Sequence, residues 1–151
     1  MKRLLIACVL MLLGACNIQQ VDVAQPAAVA DKFYSALKSG DSTTALAQFA
    51  PEFKSHESGW PHVLATLEQR GGRVTFAELQ SSSLAANDEG PCFLLTYAVK
   101  RGSNALTELL FICSKRGTSE WLIRGHKLMR PDINQSISGG VLPTQVGIHV
   151  P

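Results

Sequence analysis

The feature that most constrains the fold is a short turn between two apolar runs. Gly102 and Ser103 separate the run CFLLTYAVK from the run ALTELLFICSK. Glycine at the first central position favours a two-residue turn of type II′, which joins antiparallel strands. Such a turn pairs Arg101 with Asn104. The sequence therefore predicts a β-hairpin whose register follows outwards from the turn.

The same register places Cys92 opposite Cys113, because both lie equally far from the turn. The count puts them at a site without mutual hydrogen bonds, where facing α-carbons are about 4.5 Å apart. A disulfide accepts that separation, and we predict a Cys92–Cys113 disulfide. Two buried reduced thiols are the alternative. A redox-active pair is disfavoured, because the chain has no Cys-x-x-Cys motif.

The hairpin register also puts Glu108 among apolar residues, beside Tyr97. A carboxylate in such a place pairs with a cation or has a raised pKa. Arg124, His126 and Lys127 on the next run are the possible partners, since the turn KRGTSE does not fix which one faces Glu108. Tyr97, Glu108, Arg124 and His126 thus form a candidate pocket. A structural ion pair or hydrogen bond is favoured over a general acid, a general base or a ligand contact.

Helical spacing dominates the part of the chain before the hairpin. A first helix begins at Pro26 and ends at Gly40, and Asp41 can cap a second, STTALAQFA. We expect PEFKSHE to be a connection and Ser58 to cap a third helix, GWPHVLATLEQRGG. Its glycine pair is typical of a helix end.

Strand-like patterns follow these helices. RVTFAELQSS alternates, with Val74, Phe76 and Leu79 as its apolar positions, and EWLIRGHKLM comes after the hairpin. Helices followed by an antiparallel meander are typical of an α+β fold with the helices on one face of the sheet. We predict N-terminal helices on a four-stranded antiparallel sheet over residues 26–130. Residues 131–151 lack periodicity and are expected to be a disordered tail, or a segment that adds a strand to a partner.

The start of the chain predicts export. Lys2 and Arg3 precede LLIACVLMLL, a run too short to span a bilayer and typical of a secretory signal. The following LGAC, which ends at Cys16, resembles the lipobox of bacterial lipoproteins. That resemblance implies a signal peptide over residues 1–15 and a cysteine that carries lipid. An ordinary signal or an uncleaved anchor is the alternative.

The lipoprotein resemblance also implies a location. Two or three acyl chains, palmitate among them, on Cys16 would hold the protein on a bilayer. The polar residues 16–25 would serve as a tether. Asn17 after the cysteine, in place of an aspartate, implies the outer membrane facing the periplasm.

Charge and motifs exclude several functions. The chain has 14 Lys and Arg against 12 Asp and Glu, and loss of Lys2 and Arg3 with the signal equalises them. An exported, near-neutral protein is not expected to bind nucleic acid. The cluster of basic residues from Lys100 to Arg130 is either a patch for an anionic partner or a set of strand-edge charges. No metal-ligand spacing, phosphate loop or dinucleotide motif is present, so we expect no cofactor, metal or catalytic constellation.

A wider resemblance covers about residues 27–129. The order of elements is similar to the nuclear transport factor two-like (cystatin-like) cone, and more narrowly to uncharacterised exported bacterial domains of that superfamily. The resemblance is carried by Phe33–Leu37, Gly40, Asp41, Phe53, Lys54, Trp60, Arg70, Gly72, Glu89, Gly90, Pro91, Tyr97, Glu108, Trp121, Ile123 and Gly125. It implies a curved sheet that encloses a cone.

That superfamily contains both enzymes and binding subunits, so the fold does not decide the function. We expect a non-catalytic domain that binds an envelope protein or a small ligand. The alternative is a small isomerase- or hydrolase-like enzyme that uses Glu108 in the cone pocket, together with Tyr97 or His126.

Overall fold

The protein is described by a computed structural model that covers residues 22–85, 90–115 and 117–143. The predicted signal peptide, Cys16, Asn17 and most of the tether lie outside these residues. Glu89 and the end of the chain from residue 144 also lie outside them. Within the described residues, no helix is both long enough and apolar enough to cross a membrane.

Four helices precede the sheet: α1 (Ala24–Ser39), α2 (Ser42–Ala47), α3 (Pro51–His56) and α4 (Trp60–Gly71). The predicted cap of α2 is confirmed, because the Asp41 carboxylate accepts a hydrogen bond of 3.0 Å from the Thr44 backbone N–H. This bond satisfies one of the free N–H groups of the first turn. α1 ends before Gly40, as predicted, and Gly40 adopts the left-handed conformation.

Two expectations about the helices are wrong. Residues 51–56 form α3 instead of a connection, with Pro51 in the first turn, where its fixed φ suits a helix start. Burial of Phe53 explains why so short a helix holds. Ser58 does not cap α4: the residue at the cap position is Gly59, and no side chain caps that end.

One antiparallel sheet follows, with its five strands in chain order: β1 (Val74–Ala85), β2 (Cys92–Arg101), β3 (Asn104–Ser114), β4 (Trp121–Arg130) and β5 (Gln135–Gly140). The α+β class with N-terminal helices is therefore confirmed. The expectation of four strands is wrong, because β5 pairs with β4 along its length. Residues 135–140 lie within the segment that the sequence predicts to be a disordered tail.

The predicted hairpin register is confirmed. Arg101 faces Asn104 and Cys92 faces Cys113 across β2 and β3. Gly102 has φ 57°, and a Cβ there would lie 2.7 Å from the Gly71 carbonyl oxygen. The turn therefore needs glycine for its conformation and for its contact with the end of α4.

The Cys92–Cys113 disulfide is present, with the two α-carbons 4.1 Å apart. Both cysteines belong to a small buried cluster with Phe111, and Leu94 and Leu142 pack against it. Their strand neighbours Phe93 and Ile112 belong to the main core. The disulfide therefore joins β2 to β3 on the face of the sheet that the helices do not cover.

The predicted apolar face of β1 is wrong in part. Val74 is buried, but Phe76 and Leu79 are 40% and 37% exposed. The pairing with β2 shifts between Val74 and Phe76 and again between Leu79 and Ser81. Each shift disturbs the alternation that the sequence pattern assumed.

The main core lies between the helices and the inner face of the sheet. Its completely buried side chains include Phe33 from α1, Phe49 before α3, and Leu95, Leu110, Ile112 and Ile123 from the sheet. Each such side chain contributes about 1.5–3 kcal/mol through burial.

Glycines allow β5 to approach this core. A Cβ at Gly139 would lie 2.7 Å from the Trp60 ring, and one at Gly140 would overlap the Phe53 ring. These distances are too short for any larger residue, so β5 packs its bare backbone against two aromatic rings.

Candidate functional site

Glu108 is the centre of a buried polar cluster on β3. Its Oε2 accepts a hydrogen bond from the Tyr34 hydroxyl at 3.2 Å and lies 3.0 Å from His126 Nε2. Its Oε1 lies 3.4 Å from the Arg101 guanidinium. Tyr97 is the residue directly opposite on β2, as the register predicted. Both carboxylate oxygens therefore have partners, and the partners come from α1, β2 and β4.

The structure brings together three of the four predicted pocket residues. Glu108 contacts His126, and Tyr97 faces Glu108 from β2 and packs against Tyr34. Arg124 lies elsewhere, beside a hollow of about 120 Å³ that Cys113 and Glu120 also line. A register shift between β3 and β4 at Phe111 is the reason, because Arg124 falls in the irregular part of the pairing. Arg124 therefore does not belong to the Glu108 cluster.

Lys127 is the other candidate partner that does not contact Glu108. It pairs with Leu109, the neighbour of Glu108 along β3. Because side chains alternate along a strand, Lys127 and Glu108 lie on opposite faces of the sheet.

Two members of the cluster, Tyr34 and Arg101, were not predicted. Alternation along β2 could have found Arg101, because it shares a face with Tyr97 and Val99. Its place next to a turn indicated an exposed charge, yet it is only 2% exposed. Tyr34 carried a weaker signal, since it follows the buried Phe33 on the apolar side of α1.

The environment of Glu108 favours its charged form. Burial acts to raise the pKa of this carboxyl, but the hydrogen bond and charge of His126, the charge of Arg101 and the Tyr34 hydroxyl together hold the pKa below its ordinary value. Burial and the nearby Glu108 charge raise the pKa of Tyr34 well above its ordinary value. The Tyr34 hydroxyl therefore stays protonated and donates a hydrogen bond to Glu108.

The hydrogen bonding of His126 follows from its partners. Since Nε2 faces an ionised carboxylate, Nε2 carries a proton and donates it to Glu108. Nδ1 is buried with no hydrogen-bond partner. The ring packs edge-on against Phe33, with centroids 5.5 Å apart, and near Trp60.

The cluster is closed to solvent. Glu108 and His126 are 0% exposed, and Tyr34, Arg101 and Tyr97 are 2–3% exposed. Burial, helped by the charge of Asp31, also raises the pKa of Tyr97 to about 12. In this conformation, the Glu108 carboxyl that a cone-pocket enzyme would use therefore has no contact with solution, and the tyrosines are almost completely shielded.

A hollow of about 420 Å³ lies beside the cluster, at the hairpin end of the sheet. Three arginines line it, Arg70, Arg101 and Arg130, and Arg101 is the side chain that it shares with the Glu108 cluster. Arg70 and Arg130 are exposed, whereas Arg101 is buried. The described residues contain no group of three or more His, Cys, Asp or Glu side chains that could hold a metal ion.

Comparison of the chain with known proteins yields no match to a family model, a curated protein or a solved structure.

Proposed function

We propose that the protein is a lipid-anchored lipoprotein of the bacterial outer membrane whose domain faces the periplasm and binds a small ligand or an envelope protein without catalysis. One observation carries the non-catalytic part: the Glu108 carboxylate is 0% exposed, with both oxygens engaged. A general acid or base must reach the proton that it transfers, directly or through one water. The accessible hollow lies beside this group and is lined by arginines.

The helix-before-sheet order supports a cone-like domain similar to the nuclear transport factor two-like superfamily. In such a domain the interior would hold the ligand. Here the aromatic rings of Phe33, Phe49, Trp60 and Tyr34 fill the space between α1 and the sheet around His126. A ligand would therefore bind at the open end of the domain instead of its centre.

The alternative is a cone-pocket enzyme that uses Glu108 with Tyr97 or His126. It needs a state in which the cluster opens to small solutes. We expect diethyl pyrocarbonate to modify the exposed His56 and His62 in the folded protein and to leave His126 unmodified. Peptide mapping by mass spectrometry measures the three rates on one sample, so the exposed histidines are the internal control. His126 modification at a rate near theirs would refute the closed cluster and favour the enzyme.

Lipid attachment is tested separately from the domain. Cells fed an alkyne analogue of palmitate should label the wild-type protein, and Cys16→Ser should abolish the label, because only a thiol forms the thioether. Cys92→Ala with Cys113→Ala is the matched control and should keep the label. Labelling that persists in Cys16→Ser would contradict the anchor.

A further inference from the structure

We infer that the hollow at the hairpin end binds a small organic oxyanion, a carboxylate or a phosphate ester, through Arg101 with help from Arg70 and Arg130. This inference names the ligand class of the proposed binding function and rests on that function.

Three elements converge on this hollow. The last turn of α4 brings Arg70, the end of β2 brings Arg101, and the end of β4 brings Arg130. The arrangement is tight, because a Cβ at Gly71 would lie 3.3 Å from the Asn104 side-chain amide. Positive groups from separate parts of the chain therefore line one space.

Arg101 is the decisive residue. Its side chain is 3% exposed, and one terminal nitrogen contacts Glu108 at the long distance of 3.4 Å. Its Nε is buried and has no hydrogen-bond partner. A buried N–H without an acceptor is costly. Arg101 also lines the hollow, so an oxyanion bound there would bring acceptors to this incompletely bonded guanidinium.

The surrounding charges leave the hollow positive. Glu108 balances Arg101 from the core side, and Asp132 pairs with Arg130 at 2.8 Å. Among the described residues, no ion pair joins Arg70. The carbonyl end of α4 favours a cation such as Arg70 even without a ligand. The helix end does not explain why Arg101 is buried with an unpaired Nε.

The size and walls of the hollow indicate the rest of the ligand. A volume of about 420 Å³ falls within the range of small-molecule sites. Leu67 and Leu106 supply apolar wall. Guanidinium groups match paired oxygens of carboxylates and phosphates in a bidentate way. An oxyanion with a short apolar body fits this combination.

The test uses hexanoate, hexyl phosphate and the neutral hexanamide, titrated into the purified full-length protein and followed by NMR. We expect both oxyanions to shift the amide signals of Gly71 and Asn104, with hexanamide at least tenfold weaker. Tighter binding of hexanoate would identify a carboxylate ligand, and tighter binding of hexyl phosphate a phosphate ester.

Substitutions assign the effect to the hollow. Arg70→Gln and Arg130→Gln should each weaken hexanoate binding at least threefold. The matched control Arg73→Gln, at an exposed arginine paired with Glu68, should leave binding unchanged. Arg101→Lys keeps the charge beside Glu108 but loses the fork of donors, and we expect at least tenfold weaker binding in protein that still melts cooperatively.

Three results would overturn the inference: equal binding of hexanamide, equal weakening by Arg73→Gln, or no shift with any probe. If Arg101→Lys fails to fold, the two exposed arginines still decide the matter. If the oxyanions do not bind while His126 stays protected from diethyl pyrocarbonate, this inference alone is refuted. Rapid modification of His126 would refute the proposed function instead.

Discussion

Glu108→Gln is expected to lower the free energy of unfolding by about 3–5 kcal/mol, the cost typical of removing one partner from a buried ion pair. The carboxylate has one oxygen toward Arg101 and the other toward His126 and Tyr34. Glutamine has only one acceptor oxygen, so its NH2 group must face either the Arg101 guanidinium or the His126 and Tyr34 donors. The substitution also leaves the buried Arg101 charge without its counter-charge. Denaturant unfolding measures the loss.

The matched control is Glu78→Gln on β1, whose carboxylate is exposed. We expect it to change stability by less than about 0.5 kcal/mol. Glu108→Leu combined with Arg101→Met removes both charges, and it should destabilise by less than the two single substitutions together, because contacting residues couple. A loss below about 1 kcal/mol for Glu108→Gln would contradict the ion pair.

The lowered pKa of Glu108 gives this stabilisation a pH dependence. A carboxyl with a lower pKa in the folded state stabilises the protein above its unfolded pKa, near 4.5, and the contribution is lost as pH falls through the folded pKa. Wild-type stability should therefore decline as the pH falls below about 4.5. Glu108→Gln should lack this part of the decline.

The position of Glu108 could be predicted and His126 was among its three candidate partners, whereas Tyr34 and Arg101 were not predicted. A two-residue turn fixes the β2–β3 register, so Glu108, Tyr97 and the two cysteines follow from counting. The longer turn between β3 and β4 does not fix the register of that pair. The irregular pairing near Phe111 moves Arg124 away from Glu108. Tyr34 is separated from Glu108 by 74 residues, a contact that only the packing of α1 on the sheet creates.

The missed elements have a common physical reason. α3 is held by the burial of Phe53, and β5 by backbone pairing with β4 and by glycines that admit Phe53 and Trp60. Neither segment has enough apolar residues to show a period. Their structure depends on tertiary contacts, which override local propensity. The main helices and the central strands carry their own apolar periodicity, and these were predicted correctly.

Loss of the disulfide is expected to have the other large effect. Cys92→Ala with Cys113→Ala should lower the free energy of unfolding by about 3 kcal/mol, as the chain-entropy account gives for cysteines 21 residues apart. The bond restricts the unfolded chain, and its sulfurs fill the buried cluster around Phe111. Denaturant unfolding of the variant, and of the wild type with and without reductant, measures the change.

Reduced wild type should match the double variant to within about 1 kcal/mol, because both lose the same restriction on the unfolded chain. Cys16→Ser is the control: it removes a cysteine outside the pair and should keep both the stability and its sensitivity to reductant. Peptide mapping without reduction should recover the linked Cys92 and Cys113 peptides. Two free thiols in freshly isolated protein would contradict the bond and also the export prediction, since structural disulfides persist in oxidising compartments such as the periplasm.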